Sequence, residues 1–321
     1  MRVVYWARLQ LARREVIEAV QAIPGVEIAV VEQLPELLAA LGGADALILY
    51  DAGAAQARPV AEALAAPGNT VRWMHFLTAG REGFEEVGLP KRVAVTYPAG
   101  CVAPTVAEHA MTLLLALVRR VPSMLEHQAR HDWSRAAVSA TAESVEDKTM
   151  AIVGYGEIGR EIARRARPFG IRTIGLSRAA KSDTLLDETC PLSALDAVLG
   201  RADIVMLSIA LTRETYHLLD RRRIEACKPG VLLVNIARGG LVDQAALAGA
   251  LASGHVGGAG LDATDPEPLP PDDPLWSAPN LIVSPHFAGG GSPASVRRLA
   301  ESAAGNLKRL MNGEPLRHLV S

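Results

Sequence analysis

Three short segments of this 321-residue chain place reactive side chains beside glycine or proline. Arg238 closes the run Val234-Asn235-Ile236-Ala237 and is followed by Gly239 and Gly240. Asp262 and Glu267 lie within Leu261-Asp262-Ala263-Thr264-Asp265-Pro266-Glu267-Pro268. His286 lies within Ser284-Pro285-His286-Phe287-Ala288-Gly289. A guanidinium that stays charged, carboxylates and an imidazole that titrates near neutrality are groups suited to holding an anion and moving a proton. Taken singly, each has a plainer reading: Arg238 as a surface ion-pair residue, Glu267 as a capping group, His286 as a satisfied core histidine. A fourth segment, Met150-Ala-Ile-Val-Gly154-Tyr-Gly156-Glu157-Ile158-Gly159, runs an apolar strand into a glycine-rich turn and then a helix. There Gly154 permits the tight turn, Gly156 lets backbone approach a pyrophosphate, and Gly159 allows close helix–strand packing. The helix N-terminus offers free N–H groups to phosphate. Gly154–Gly159 is therefore expected to bind a dinucleotide.

These residues need strands to end where they stand. Short β-branched runs alternate with Ala/Leu-rich helical stretches along the chain. Candidate strands include Val26–Val31, Ala46–Leu49, Val93–Thr96, Met150–Val153, Thr173–Leu176, Ile204–Ser208, Leu232–Ile236 and Leu281–Val283. Candidate helices include Ile158–Phe169, Leu192–Leu199 and Gln244–Leu251. Such alternation predicts parallel sheets covered by helices. The three reactive segments each sit just after a probable strand, and in open α/β sheets ligands bind outside the carboxyl ends of strands. One set of strands lies before about Pro98 and a longer set between Ala99 and Gly289. The helical stretch Thr105–Val121 opens the second set, and Ala294–Leu310 is expected to fold back on the first. Thr141–Lys148, polar and acidic, reads as a surface connection.

Composition excludes several classes. Net charge is -2 with both signs interspersed, so there is no basic stripe for nucleic acid. Three widely spaced cysteines, Cys101, Cys190 and Cys227, form neither a CxxC pair nor a disulfide framework, which points to a reducing compartment. The apolar stretch Ala110–Val118 is far short of a membrane span, and Met1–Gln10 has no signal-peptide pattern. A cytoplasmic protein without nucleic-acid or membrane partners is expected. No cluster has metal-ligand spacing, so no metal is expected. His75, His109, His127 and His131 are assigned to structure, with His109 packed inside a helical apolar run.

Together the motifs resemble the D-isomer-specific 2-hydroxyacid dehydrogenase family, close to its glyoxylate and hydroxypyruvate reductases. The carriers are Gly154–Gly159, Asn235–Asp243, Leu261–Pro268 and Ser284–Gly289, with Leu77–Phe84 and Val106–Met111 also at family positions. They span most of the chain in the family's order. The resemblance implies two Rossmann-like doubly wound α/β domains with a cleft between them. The substrate domain, flavodoxin-like, would be residues 1–98 plus 290–321, and the dinucleotide-binding domain residues 99–289. It also implies hydride transfer between NAD(P)H and a small 2-oxo or 2-hydroxy acid. By the same resemblance Arg238 would bind the substrate carboxylate and polarise the carbonyl. His286 would exchange the proton, and Glu267 would orient His286 and raise its pKa. Ile209, Ala237, Asp262 and Gly289 would lie at the cofactor, and Ala79, Gly80 and Arg81 would receive the carboxylate. A homodimer joined through the helical arm near Thr105–His131 is expected, without the extra regulatory domain of some phosphoglycerate dehydrogenases.

Four positions depart from the family pattern. Ser177 stands where an acid usually meets the ribose hydroxyls, and Arg178, with Lys181 nearby, is placed to hold a 2′-phosphate. NADP is therefore preferred, with NAD possible, and a solvated Arg178 is the plain alternative. Glu157 replaces a common basic residue, and Val102 a frequent asparagine. Arg81 and Glu82 replace a small apolar–acid pair, so Arg81 either charges the substrate pocket or points to solvent. Rival readings are a dinucleotide-sensing corepressor-like protein and a family member acting on phosphite. Formate enzymes carry glutamine at the Glu267 position, which counts against formate.

Overall fold

The computed structural model describes residues 1–180 and 182–320. Lys181, expected near a 2′-phosphate, lies outside the described residues. The chain divides into two compact units, Met1–Val102 with Gly291–Ser321, and Ala103–Gly290.

The first unit is built on five parallel strands, β1 (Arg2–Trp6), β2 (Glu27–Val31), β3 (Ala46–Leu49), β4 (Trp73–Phe76) and β5 (Ala94–Thr96), in the order β2-β1-β3-β4-β5. Both faces are covered, so the central strands are apolar throughout. Their side chains alternate between two cores. Val3, Tyr5, Ile48 and Trp73 meet helix α1 (Arg13–Gln21) and the C-terminal helix Pro293–Asn312. Val4, Trp6, Leu49 and Phe76 meet α2 (Leu34–Ala40) and α3 (Ala54–Ala65). The C-terminal helix contributes Leu299, Ala303 and Leu307 to the first of these cores, which is why the unit draws on both ends of the chain. A short helix, α4 (Glu82–Val87), follows the loop after β4.

The second unit opens with α5 (Ala103–Val118), α6 (Val121–Ala129) and α7 (Arg135–Ser139). The single helix read over Thr105–Val121 is divided, because Arg120 turns left-handed at φ 57° and α6 restarts with Pro122 in its first turn. Seven parallel strands follow: β6 (Thr149–Val153), β7 (Arg172–Ser177), β8 (Glu188–Pro191), β9 (Ile204–Leu207), β10 (Val231–Asn235), β11 (Val256–Leu261) and β12 (Leu281–Val283). Their order is β12-β11-β10-β9-β6-β7-β8. The order reverses between β6 and β9, the place where doubly wound sheets bind ligands. The covering helices are α8 (Glu157–Ala166), α9 (Leu195–Leu199), α10 (Arg221–Ala226) and α11 (Gln244–Ala252). The helix read over Ile158–Phe169 ends as α at Ala166 and tightens to a 3-10 turn over Arg167–Phe169, since Pro168 has no N–H to continue the ladder. Among the described residues no helix is long and apolar enough to cross a membrane.

Candidate active site

The glycine turn forms at the carboxyl end of β6. Gly154 has φ +97°, and a Cβ there would lie 2.5 Å from the Ile209 amide nitrogen. Only glycine lets the turn pass this close to the chain leaving β9. The Ser208 hydroxyl donates to the Gly154 carbonyl at 2.7 Å and ties the two strand ends. Gly156 caps α8 without any side-chain bond, so the amides of the first turn, at Glu157 and Ile158, face outward. A Cβ on Gly156 would meet nothing within 4 Å. The open face of this turn fits a pyrophosphate against a helix N-terminus.

Beside it lies a cavity of about 480 Å³, lined by Gly156, Glu157, Arg160, Ser177, Arg178 and Asp183, among others. Asp183 is occupied: Arg160 donates to it at 2.8 Å and the Leu185 amide at 3.0 Å. The Leu185 amide, then Arg160, hold its carboxyl below the usual range. Arg178 is exposed and, among the described residues, has no hydrogen bond or ion pair. A cation thus stands at the mouth of this cavity with its charge uncompensated, next to an uncharged Ser177.

The reactive groups gather at the other half of the same sheet edge. Arg238 follows β10. Asn235, fully buried, accepts the Ala237 amide at 3.0 Å and donates to the Arg238 carbonyl at 2.8 Å, which fixes the backbone under the guanidinium. Gly239 must be glycine because a Cβ would collide with the Thr264 carbonyl. That contact brings the Arg238 turn against the loop carrying Glu267. Glu267 Oε1 accepts the Thr264 amide at 3.1 Å, and Oε2 meets His286 Nδ1 at 2.9 Å. Burial pushes the Glu267 carboxyl up, but the His286 bond and charge, the Thr264 amide and the Arg238 charge together hold it below its ordinary value. The bond to Glu267 is the largest influence on His286 and raises its pKa, opposed by partial burial and by the Arg238 charge. One guanidinium therefore bears on both members of the pair.

His286 sits in the left-handed region, φ 50°. For a non-glycine residue this costs about 1–2 kcal/mol. The compensation comes from Asp262, only 1% exposed. Its Oδ1 accepts the Ser284 hydroxyl at 2.6 Å and the Phe287 amide at 2.9 Å, and its Oδ2 accepts the Ala288 amide at 2.9 Å. Hydrogen bonds to a charged group contribute about 1.5–3 kcal/mol each, so the clamp outweighs the strain. Asp262 was expected at the cofactor; within the protein its carboxylate accepts these three hydrogen bonds. Gly289 follows the clamped Ala288, while Ile209 and Ala237 are half-buried at the ends of β9 and β10.

Sequence reasoning assigned His109 to packing and gave Ser284 no role of its own. The His109 ring, on α5, reaches Ser284 Oγ at 2.9 Å and Asp262 Oδ1 at 3.4 Å. It also meets the Phe287 ring edge-on, centroids 5.9 Å apart. The available signal was a histidine inside the apolar stretch of α5, a position that says "packed" unless its partner is known.

In the first unit, the Arg81 side chain is only 19% exposed and does not take the solvent course. Its guanidinium donates to the Ala79 carbonyl at 2.8 Å, pairs with Glu85 at 2.8 Å and lies over the Tyr97 ring at 4.9 Å. Its charge is therefore spent within its own unit. The Gly80 amide donates to the Thr78 hydroxyl at 3.3 Å.

Residues 111–288 match the family model described as "D-isomer specific 2-hydroxyacid dehydrogenase, NAD binding domain". The chain belongs to this family of NAD(P)-dependent oxidoreductases. It is 36% identical over 231 residues to a glyoxylate reductase of Korarchaeum cryptofilum, spanning 71% of this chain and 69% of the relative. It is 34% identical over 284 residues to a D-3-phosphoglycerate dehydrogenase of Mycobacterium tuberculosis, spanning 87% of this chain but 51% of that protein. A solved family protein from Aeromonas salmonicida matches with a TM-score of 0.86 at 28% identity, covering 100% of this chain and 98% of that one.

Proposed function

We propose that this enzyme reduces a short 2-oxo acid without a charged side chain, glyoxylate or hydroxypyruvate in kind, to its D-2-hydroxy acid, with NADPH preferred over NADH. The observation that carries this reading is the His286–Glu267 bond with the Arg238 charge bearing on both residues. The residues around the glycine turn and the 480 Å³ cavity would hold the cofactor: Gly154, Gly156, Glu157, Ile158 and Gly159 the pyrophosphate, Ser177 and Arg178 the adenosine end. When bound, the nicotinamide exchanges a hydride with the substrate α-carbon.

The chain's own part is binding and proton handling. Arg238 offers a planar fork that pairs with a carboxylate through two donors and stays charged throughout. In the first unit the turn at Ala79 and Gly80, whose Ala79 carbonyl accepts from Arg81, is the segment proposed to take part in substrate binding. His286 Nδ1 is committed to Glu267, so Nε2 is the atom that gives its proton to the carbonyl oxygen in reduction and takes it back in oxidation. Glu267 fixes the ring and stabilises imidazolium, which keeps His286 protonated further into the neutral range. The pairing of Arg81 with Glu85 supports a substrate without a phosphorylated or acidic side chain. The relative named glyoxylate reductase supports the same class.

A homodimer in a reducing cytoplasm completes the proposal. α6 has no buried residue and exposes Leu125 at 58%, and the adjoining Trp133 is 95% exposed. A second copy of the chain covering this arm would remove that surface from water. The three cysteines are free. The deciding experiment is a panel of 2-oxo acids with NADPH and NADH, followed at the nicotinamide absorbance. Turnover of uncharged short acids, faster with NADPH, supports the proposal. Preference for a phosphorylated substrate, or equal use of NADH, would reject the corresponding part.

A further inference from the structure

The carboxylate of Asp262 is enclosed in a set of contacts that the proton-exchange step does not itself use. Ser284 has one hydroxyl proton, and at 2.6 Å it is given to Asp262 Oδ1. The Ser284 oxygen is then an acceptor toward His109 Nε2, 2.9 Å away, so Nε2 carries the hydrogen. The relay runs His109 to Ser284 to Asp262, and Asp262 takes the amides of Phe287 and Ala288. His286 lies between the two anchored points. Its own amide donates to the Ser284 carbonyl at 3.0 Å, so one side of the turn hangs from Ser284 and the other from Asp262. The anchor is on α5, a helix sixteen residues long with nine of them buried, whereas His286 stands on an exposed loop. A buried helix thus anchors an exposed turn.

We propose that His109 is a positioning residue: through Ser284 and Asp262 it holds the His286 turn at the height where the imidazole meets Glu267. The inference rests on the proposed proton-exchanging role of His286. Without the Nε2 donor, Ser284 loses one tether, the turn relaxes, and the His286–Glu267 contact lengthens. The groups bearing on the His286 ring are Glu267, Arg238 and Asp262. None of the three is itself substituted when His109 or Ser284 is changed, so a change in His286 titration reports how they are arranged about the ring.

The test is proton-detected histidine NMR on the full chain, with His286 assigned by its loss in His286→Ala. His109→Phe keeps the edge-on packing with Phe287 but has no donor; His109→Gln restores an N–H at similar reach. In His109→Phe the His286 midpoint should fall toward ordinary imidazole. kcat should drop about tenfold with cofactor affinity unchanged, as for a small misplacement of a reacting group. His109→Gln should recover most of both. Ser284→Ala breaks the relay without touching α5 and should lower the midpoint in the same way. A wild-type midpoint in His109→Phe or Ser284→Ala overturns the proposal, as does a loss in His109→Gln equal to that in His109→Phe. Because the titration needs no substrate, it separates failure here from failure of the reductase reading, which would show as wild-type inactivity on every 2-oxo acid.

Discussion

In the proposed reaction His286 carries the proton, and one neighbouring carboxylate sets its working range. The Glu267 bond raises its pKa above that of free imidazole. In reduction the protonated ring is needed, so the rate holds at low pH and falls as pH rises through the raised pKa. In oxidation the neutral ring is needed and the dependence reverses. Glu267→Gln removes the stabilising charge, so the reductive limb of the kcat/KM profile should move to lower pH; an unmoved limb would separate Glu267 from the titration. Arg238→Lys keeps a charge but loses the fork, and should cost about a hundredfold in kcat/KM, as when a positioned donor to a developing charge is lost; steady-state kinetics on the best 2-oxo acid check it. Arg178→Ala should weaken NADPH by about tenfold or more, the scale of a charge-assisted phosphate contact, while leaving NADH nearly unchanged. Titration of each nucleotide by fluorescence reads that difference directly. Arg238, Glu267 and His286 were singled out from motif and order alone, and the fold brings His286 and Glu267 into contact. The clamp on Asp262 was not, because its partners lie 22 to 26 residues away along the chain and further still on α5.

Elements decide whether those residues meet. The β6 turn works only because Gly154 can take φ +97° against the Ile209 backbone. Gly154→Ala should cost about 1–3 kcal/mol in backbone strain before any clash is relieved. Denaturant titration should show the lower midpoint, and cofactor binding should weaken with it. Continuous apolar strands, such as β3 and β9, were readable because apolar side chains on both faces mark a strand buried between helix layers. β11, Val256-Gly-Gly-Ala-Gly-Leu, carries three glycines and little β propensity. It forms because β10 and β12 pair with it on both sides, and no local pattern reports that. The break between α5 and α6 had a local cause in Pro122, yet the apolar run continued past it and masked the boundary.

For the whole molecule the parallel sheets put every functional turn of the second unit at strand carboxyl ends. The order reversal between β6 and β9 divides them: Gly154–Gly159 leaves β6 on one side, and the turns after β10, β11 and β12 follow on the other. The exposed arm around α6 belongs to this scale too. If a second copy covers it, Leu125→Glu together with Trp133→Ala should turn a dimer into a monomer in sedimentation at micromolar concentration. Unchanged mass would place the interface elsewhere. The first unit needs residues from both ends of the chain for its core, since Leu299, Ala303 and Leu307 pack with Val16 and Val20.

The order of apolar runs and glycine turns carried the fold class and the family, because strand burial and tight turns impose residue types locally. Which side chains share a proton, an ion or an amide is a matter of distances between segments far apart in the chain. Arg81 illustrates the point: its sequence neighbours allowed a pocket charge or a solvated one, and packing against Tyr97 and Glu85 removed the solvated course. His109 illustrates it again, since only the folded sheet brings α5 to Ser284.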